Sequence, residues 1–246
     1  MPNTTSLYPY SVRDARDRDE LDLWRASFKA NCTCCAVIED VIRNGFDGMH
    51  LAPDCARRVI DEFGFKRVEY VLANTLQELS DDGRFSPKNK EWGASIYIPK
   101  DESHNYCFAV TSHPTVLDGF IDEYRSEYQK LGLFETEHCV KDAYAENFTD
   151  KVLVMKIHSL KETYWDPKYQ LWHANSGFGC YPDKLGTAVF VTCLYDGERA
   201  RFSRSDFIGP IRDECLPDWA KAQLEKLKAG QALEPPDAQQ QPGMTM

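Results

Sequence analysis

Cysteine, histidine and aromatic side chains carry the chemistry this sequence could perform. The densest cluster is Cys32-Thr33-Cys34-Cys35, which with Cys55 and His50 offers thiolates and an imidazole to a zinc ion. Zinc sites normally present their cysteines from loops or knuckles at C-x2-4-C. Here the cysteines fall in the middle of a helical pattern. Cys32 and Cys35 lie on its apolar stripe, where a free thiol behaves as a small hydrophobe. They are expected in the core, with no metal and no cofactor called for.

A nucleophilic cysteine needs a base at hydrogen-bond distance and a lowered pKa. Cys139 follows His138, and Cys180 closes Gly177-Phe178-Gly179-Cys180 a few residues after His173. Cys180 and His173 are the alternative catalytic pair, and no other catalytic residue is assigned. Gly177 and Gly179 lack the rest of the dinucleotide fingerprint and the Walker lysine, so they read as a turn. Neither H-E-x-x-H nor G-x-S-x-G occurs, and no carboxylate pair stands out by spacing.

Tyr164-Trp165-Asp166-Pro167-Lys168-Tyr169-Gln170-Leu171-Trp172-His173 is dense in aromatics around a turn, and Phe178 and Tyr181 follow. Aromatics in loops anchor partners. Tyr164, Trp165, Tyr169, Trp172 and Tyr181 are therefore the candidate partner-binding residues. Closing the core of a small sheet is their competing role.

The elements that must position these residues follow from periodicity. Leu21, Trp24, Phe28, Cys32, Cys35, Ile38 and Ile42 recur at helical steps from Asp19, a candidate N-cap, to Asn44, with Gly45 as the stop. A second helix starts after Ala52 with Pro53 and Asp54 in its first turn and ends at Gly64. A third carries Val68, Val71, Leu72, Leu76 and Leu79. Ser86-Pro87 caps a short helix through Trp92, and Ser112-His113-Pro114 opens another that ends near Gly132. Short strands are expected at 95–98 and 106–111.

Beyond Gly132 the texture changes. Val152 to Ile157 and Leu171 to Ala174 read as strands. Thr187 to Leu194 and Arg199 to Ser203 flank Tyr195-Asp196-Gly197-Glu198, a strong hairpin signal. A last helix has Pro217 in its first turn and ends at Gly230. The fold expected is α+β: a helical N-terminal unit over 1–131, a small mixed α+β unit over 132–229 with a short antiparallel sheet, and a disordered tail over 230–246.

Composition narrows the function classes. Apolar residues make up 42% and charged residues 28% of 246, which excludes a disordered or fibrous chain. The net charge of −10 is shared by both halves, so a broad basic surface for nucleic acid is disfavoured. No apolar run spans a bilayer. The opening residues lack a basic start followed by an apolar core, and nine cysteines without such a signal point to free thiols in a reducing cytoplasm.

The segments ELDLWRASFKANCTCCAVIEDVIRNGFDGMHL, EFGFKRVEYVLANTLQ, DGRFSPKNKEW and SHPTVLDGFIDEYR resemble an uncharacterised domain family of conjugative and other mobile elements of Gram-positive gut bacteria. HANSGFGCYPDKLGTAVFVTCLYDGERARFSRSDFIGPI with LPDWAKAQLE resembles a companion segment. The resemblance implies an accessory role and no catalytic residues. It leads to the expectation of a cytoplasmic interaction protein of a mobile element with a protein partner. One form is an inhibitor of a host defence nuclease system, of the anti-restriction or anti-CRISPR type. The alternatives are a Cys/His-dependent enzyme with its site in the C-terminal unit, and a regulatory protein of element transfer.

Overall fold

A computed structural model describes residues 5–99 and 108–236. The architecture is α+β, with helices in the N-terminal half and a five-stranded antiparallel sheet with a helix in the C-terminal half. The chain divides into two compact units that change over in sequence between Lys130 and Leu131.

The first unit contains α1 (Val12–Asp17), α2 (Leu21–Gly45), α3 (Cys55–Phe63), α4 (Phe65–Glu78), α5 (Pro87–Ser95) and α6 (Pro114–Gln129). Ser11 and Asp14 form a reciprocal capping box at the start of α1. The mixed charges of that stretch hide this helix from a hydrophobic count. Ser86 Oγ accepts from the Asn89 amide at the start of α5, with Pro87 in the first turn. The core is built from Ile38, Ile42, Val59, Leu72, Leu117 and Phe120, each fully buried. Each such side chain contributes about 1.5–3 kcal/mol of hydrophobic transfer.

Several expectations in this unit are corrected. Glu20, not Asp19, precedes the first turn of α2, and Asp19 takes the left-handed conformation at φ 58°. Pro53 and Asp54 precede α3 rather than forming its first turn. The strand at 95–98 does not exist, because α5 continues to Ser95 and the Ile96 amide closes on the Gly93 carbonyl. Residues 108–111 are not a strand; Phe108 and Val110 are buried in the helical core. Tyr106 and Cys107 lie outside the described residues. His113, at φ 51°, caps α6 with no side-chain bond.

The second unit holds β1 (Val152–Met155), β2 (Leu171–Ser176), β3 (Ala188–Cys193), β4 (Arg199–Ser203), β5 (Phe207–Pro210) and α7 (Asp218–Lys228). The strands lie in the order β4-β3-β2-β1-β5, all antiparallel. β1 stops at Met155, and Ile157 opens a 3-10 turn. Pro217 is the residue before α7, not in its first turn. One face packs Val152, Val154, Leu171, Leu194 and Ala220 with Trp219 and Leu224 of α7. By register the other carries Leu153 and Trp172, also buried, with the Phe202 ring edge-on to Trp172. Burial on both faces explains the unbroken apolar run Val152-Leu153-Val154-Met155.

Past α7, Leu233 packs on the sheet core and Gln223 Nε2 donates to the Glu234 carbonyl at 2.6 Å. The rest of the tail, 237–246, lies outside the described residues. No helix among the described residues is long and apolar enough to cross a membrane.

Candidate functional site

The eight described cysteines form no disulfide with one another, and most are buried. Cys32 is the exception on α2: it is exposed, whereas Cys34 and Cys35 are buried. The buried face of α2 includes Ser27, Ala30, Asn31 and Cys34 as well as Cys35, Ile38 and Ile42, with Trp24 and Phe28 half-buried beside it. Arg67 of α4, only 2% exposed, meets this face: its guanidinium donates to the Ser27 carbonyl, Asn31 Oδ1 and the Thr5 carbonyl. Small and polar side chains on that face of α2 leave room for the buried guanidinium and accept its hydrogen bonds.

Burial disfavours the thiolate at five of the thiols. Burial pushes Cys34 and Cys193 up to about 12 and Cys139 up to about 11. It also raises Cys55 and Cys180, with the Thr149 hydroxyl and Arg204 opposing the rise at Cys180. A protonated thiol is a poor nucleophile and a poor metal ligand. Cys35 donates to the Phe108 carbonyl. His50 is exposed, with its amide bonded to Asp47 Oδ1. Among the described residues no group of three or more His, Cys, Asp or Glu is placed to hold a metal ion.

Neither Cys/His neighbourhood forms a hydrogen-bonded pair among the described contacts. His138 Nδ1 accepts from the Glu135 amide at 2.9 Å, while the Cys139 thiol points at the Gly209 carbonyl 3.8 Å away. His173 is buried on β2 with Nδ1 3.0 Å from Asn175 Oδ1, and Asn175 Nδ2 donates to Thr192 Oγ1 at 2.9 Å. Cys180 is fully buried in the 3-10 turn Phe178–Cys180.

The candidate aromatics separate into three groups. Trp165 and Trp172 are buried; Trp172 Nε1 donates to the Tyr169 carbonyl at 2.7 Å, and the Trp165 ring meets His158 edge-on. Tyr164, Tyr169, Tyr195 and Trp219 form a chain of edge-on rings with centroids 5.0, 5.1 and 6.4 Å apart. Lys168 Nζ lies 4.7 Å from the centre of the Tyr195 ring. Tyr181 belongs elsewhere. With Phe178, Phe190, Gly177, Ala188 and Arg201 it lines an open, mainly apolar groove of about 650 Å3. Phe178 is 70% exposed, Phe190 47% and Tyr181 40%.

The turn that carries Phe178 is built tightly. Gly177 has φ +123°, and a Cβ there would overlap the Ala188 carbonyl oxygen; at Gly179 it would overlap that of Thr187. Arg204 donates to the Gly179 and Cys180 carbonyls at 2.9 and 3.1 Å, and its guanidinium lies over the Phe148 ring. The backbone is thus pinned from both sides, and the Phe178 ring projects from it into solvent. Phe190 and Arg201 escape a search for loop aromatics because they lie on strands. Their signal is period two: Phe190 alternates against Val189 and Val191, which are buried.

A family model described as "Protein of unknown function (DUF3849)" matches residues 7–129 of the chain. No curated protein and no solved structure matches it.

Proposed function

The chain belongs to the family of proteins of unknown function DUF3849, and on that premise we propose that it is an accessory protein that works by docking a protein partner. The observation that carries this reading is the exposed cluster of Phe178, Tyr181 and Phe190 on a pinned turn and strand. Apolar rings held rigidly in solvent lose little entropy on binding, and aromatic anchors dominate interface energies. The groove lies in the second unit, outside the matched residues, so the partner is selected by the part of the chain the family model does not cover. Buried, protonated thiols at Cys139, Cys180 and Cys193 support docking over thiol chemistry.

In its specific form, the protein serves a mobile element inside a reducing cytoplasm and inhibits a host defence nuclease system. The second form, regulation of element transfer, uses the same surface and differs only in the protein bound. Affinity capture with the tagged full chain, alongside a Phe178→Asp/Phe190→Asp variant, tests the reading. Capture of a defence component by the wild type and its loss in the variant, with an unchanged circular dichroism spectrum, is the expected result. Capture of transfer proteins selects the second form. Identical captures by both chains sink the docking surface.

A further inference from the structure

We propose that the open edge of β4, together with the adjoining groove, docks an extended acidic segment of a partner protein as an added strand of the sheet. This deepens the docking reading above and rests on it.

β4 ends the strand order, and its hydrogen-bond parity is set at both ends. The Cys193 amide donates to the Glu198 carbonyl at 2.8 Å, and the Arg204 amide to the Thr187 carbonyl at 2.8 Å. Antiparallel ladders alternate bonded and non-bonded pairs. Val191 with Ala200 and Val189 with Phe202 are therefore the bonded pairs of the register between them. The amides and carbonyls of Arg199, Arg201 and Ser203 point away from β3. The Ser203 amide is satisfied by Asp206 Oδ2 at 2.8 Å, but no described residue bonds those of Arg199 and Arg201. The opposite edge is engaged: the Val140 amide donates to the Pro210 carbonyl, and Cys139 bridges Ile211.

The side chains select the occupant. Arg199 and Arg201 are exposed, project from one face two residues apart, and make no ion pair among the described residues. On that same face Arg201 stands opposite Phe190, and both line the groove. In a chain of net charge −10 two neighbouring unpaired cations are a local inversion of sign. An added strand with carboxylates at i and i+2 meets both arginines, and an apolar side chain two positions further on, on that same face, reaches the groove beside Phe190 and Phe178. A second copy pairing through β4 would set arginine against arginine, so the edge repels itself and favours an acidic guest. Main-chain bonds then supply affinity, and the alternate side chains supply selectivity.

The test pans a random-peptide display library against the full chain, then measures the enriched peptides by fluorescence anisotropy and amide hydrogen exchange. The expected peptides carry Asp or Glu at i and i+2 with an apolar residue at i+4 on the same face, and protect the Arg199 and Arg201 amides. Arg199→Glu with Arg201→Glu weakens them by about tenfold or more. A library that yields no binder, binders without carboxylates, unmoved affinity in the double variant, or amides that exchange at the free rate each overturn the proposal. The docking reading fails separately. If Phe178→Asp/Phe190→Asp loses the captured protein while the charge-reversed chain keeps it, the groove binds by another geometry and only strand addition falls. If neither variant changes capture, both fall.

Discussion

At Cys34 the physics of one side chain can be followed from burial to reactivity. Its thiol is fully buried and pushed up to about 12, whereas Cys32, two residues away, is exposed. In folded protein at pH 8, iodoacetamide should modify Cys32 within minutes and leave Cys34, Cys55, Cys180 and Cys193 intact until denaturant is added; peptide mass spectrometry reads this directly. The same shifts bear on stability. A thiol whose folded pKa is raised keeps its proton while the unfolded chain loses its own. The stabilisation is therefore complete below pH 9 and lost as pH climbs from 9 towards 12. Urea midpoints should fall across that window, and Cys34→Ala should flatten the slope. Arg67 is the other decisive residue. Removing it leaves Ser27, Asn31 and Thr5 acceptors without their donor in a closed core. Arg67→Ala should lower stability by about 3 kcal/mol with an unchanged urea m-value.

For the elements, the turn Phe178–Cys180 shows how backbone geometry builds a surface. Gly179 packs its Cα face against Thr187, and any Cβ there would force the turn off β3. Gly179→Ala should cost about 2 kcal/mol or more and abolish whatever binds at Phe178, while Gly132→Ala, in open space at φ +63°, costs about 1 kcal/mol or less and leaves binding intact. Thermal denaturation and peptide anisotropy on the two variants check this. β5 shows the limit of local patterns. Phe207-Ile208-Gly209-Pro210 has the composition of a turn, and Pro210 has no amide to give. It is a strand because β1 pairs with it, with a register shift between Val154 and Met155. No local pattern could have announced that pairing.

At the scale of the whole molecule, the described residues place one hydrophobic cluster among the helices of the first unit and another on one face of the sheet in the second. Residues 1–130 and 131–246 expressed apart should each give a cooperative thermal transition; a flat melt from either fragment would refute their independence. Periodicity, caps and turn residues determined by themselves where α2, α4, α6 and the β3–β4 hairpin lie, because those signals are local and each residue carries its own preference. The thiol-rich segment was legible as helix and as packing material. Which cysteines packed was not, since that depends on what other helices bring against each side of α2, a buried arginine among them. Of the candidate aromatics, Tyr181 reached the groove, whereas Trp165 and Trp172 turned inward, and Phe190 and Arg201 joined it from strands. Alternation along a strand says that two faces differ, but only the packing of α7 and the turns around the sheet decided which aromatic rings stay in water.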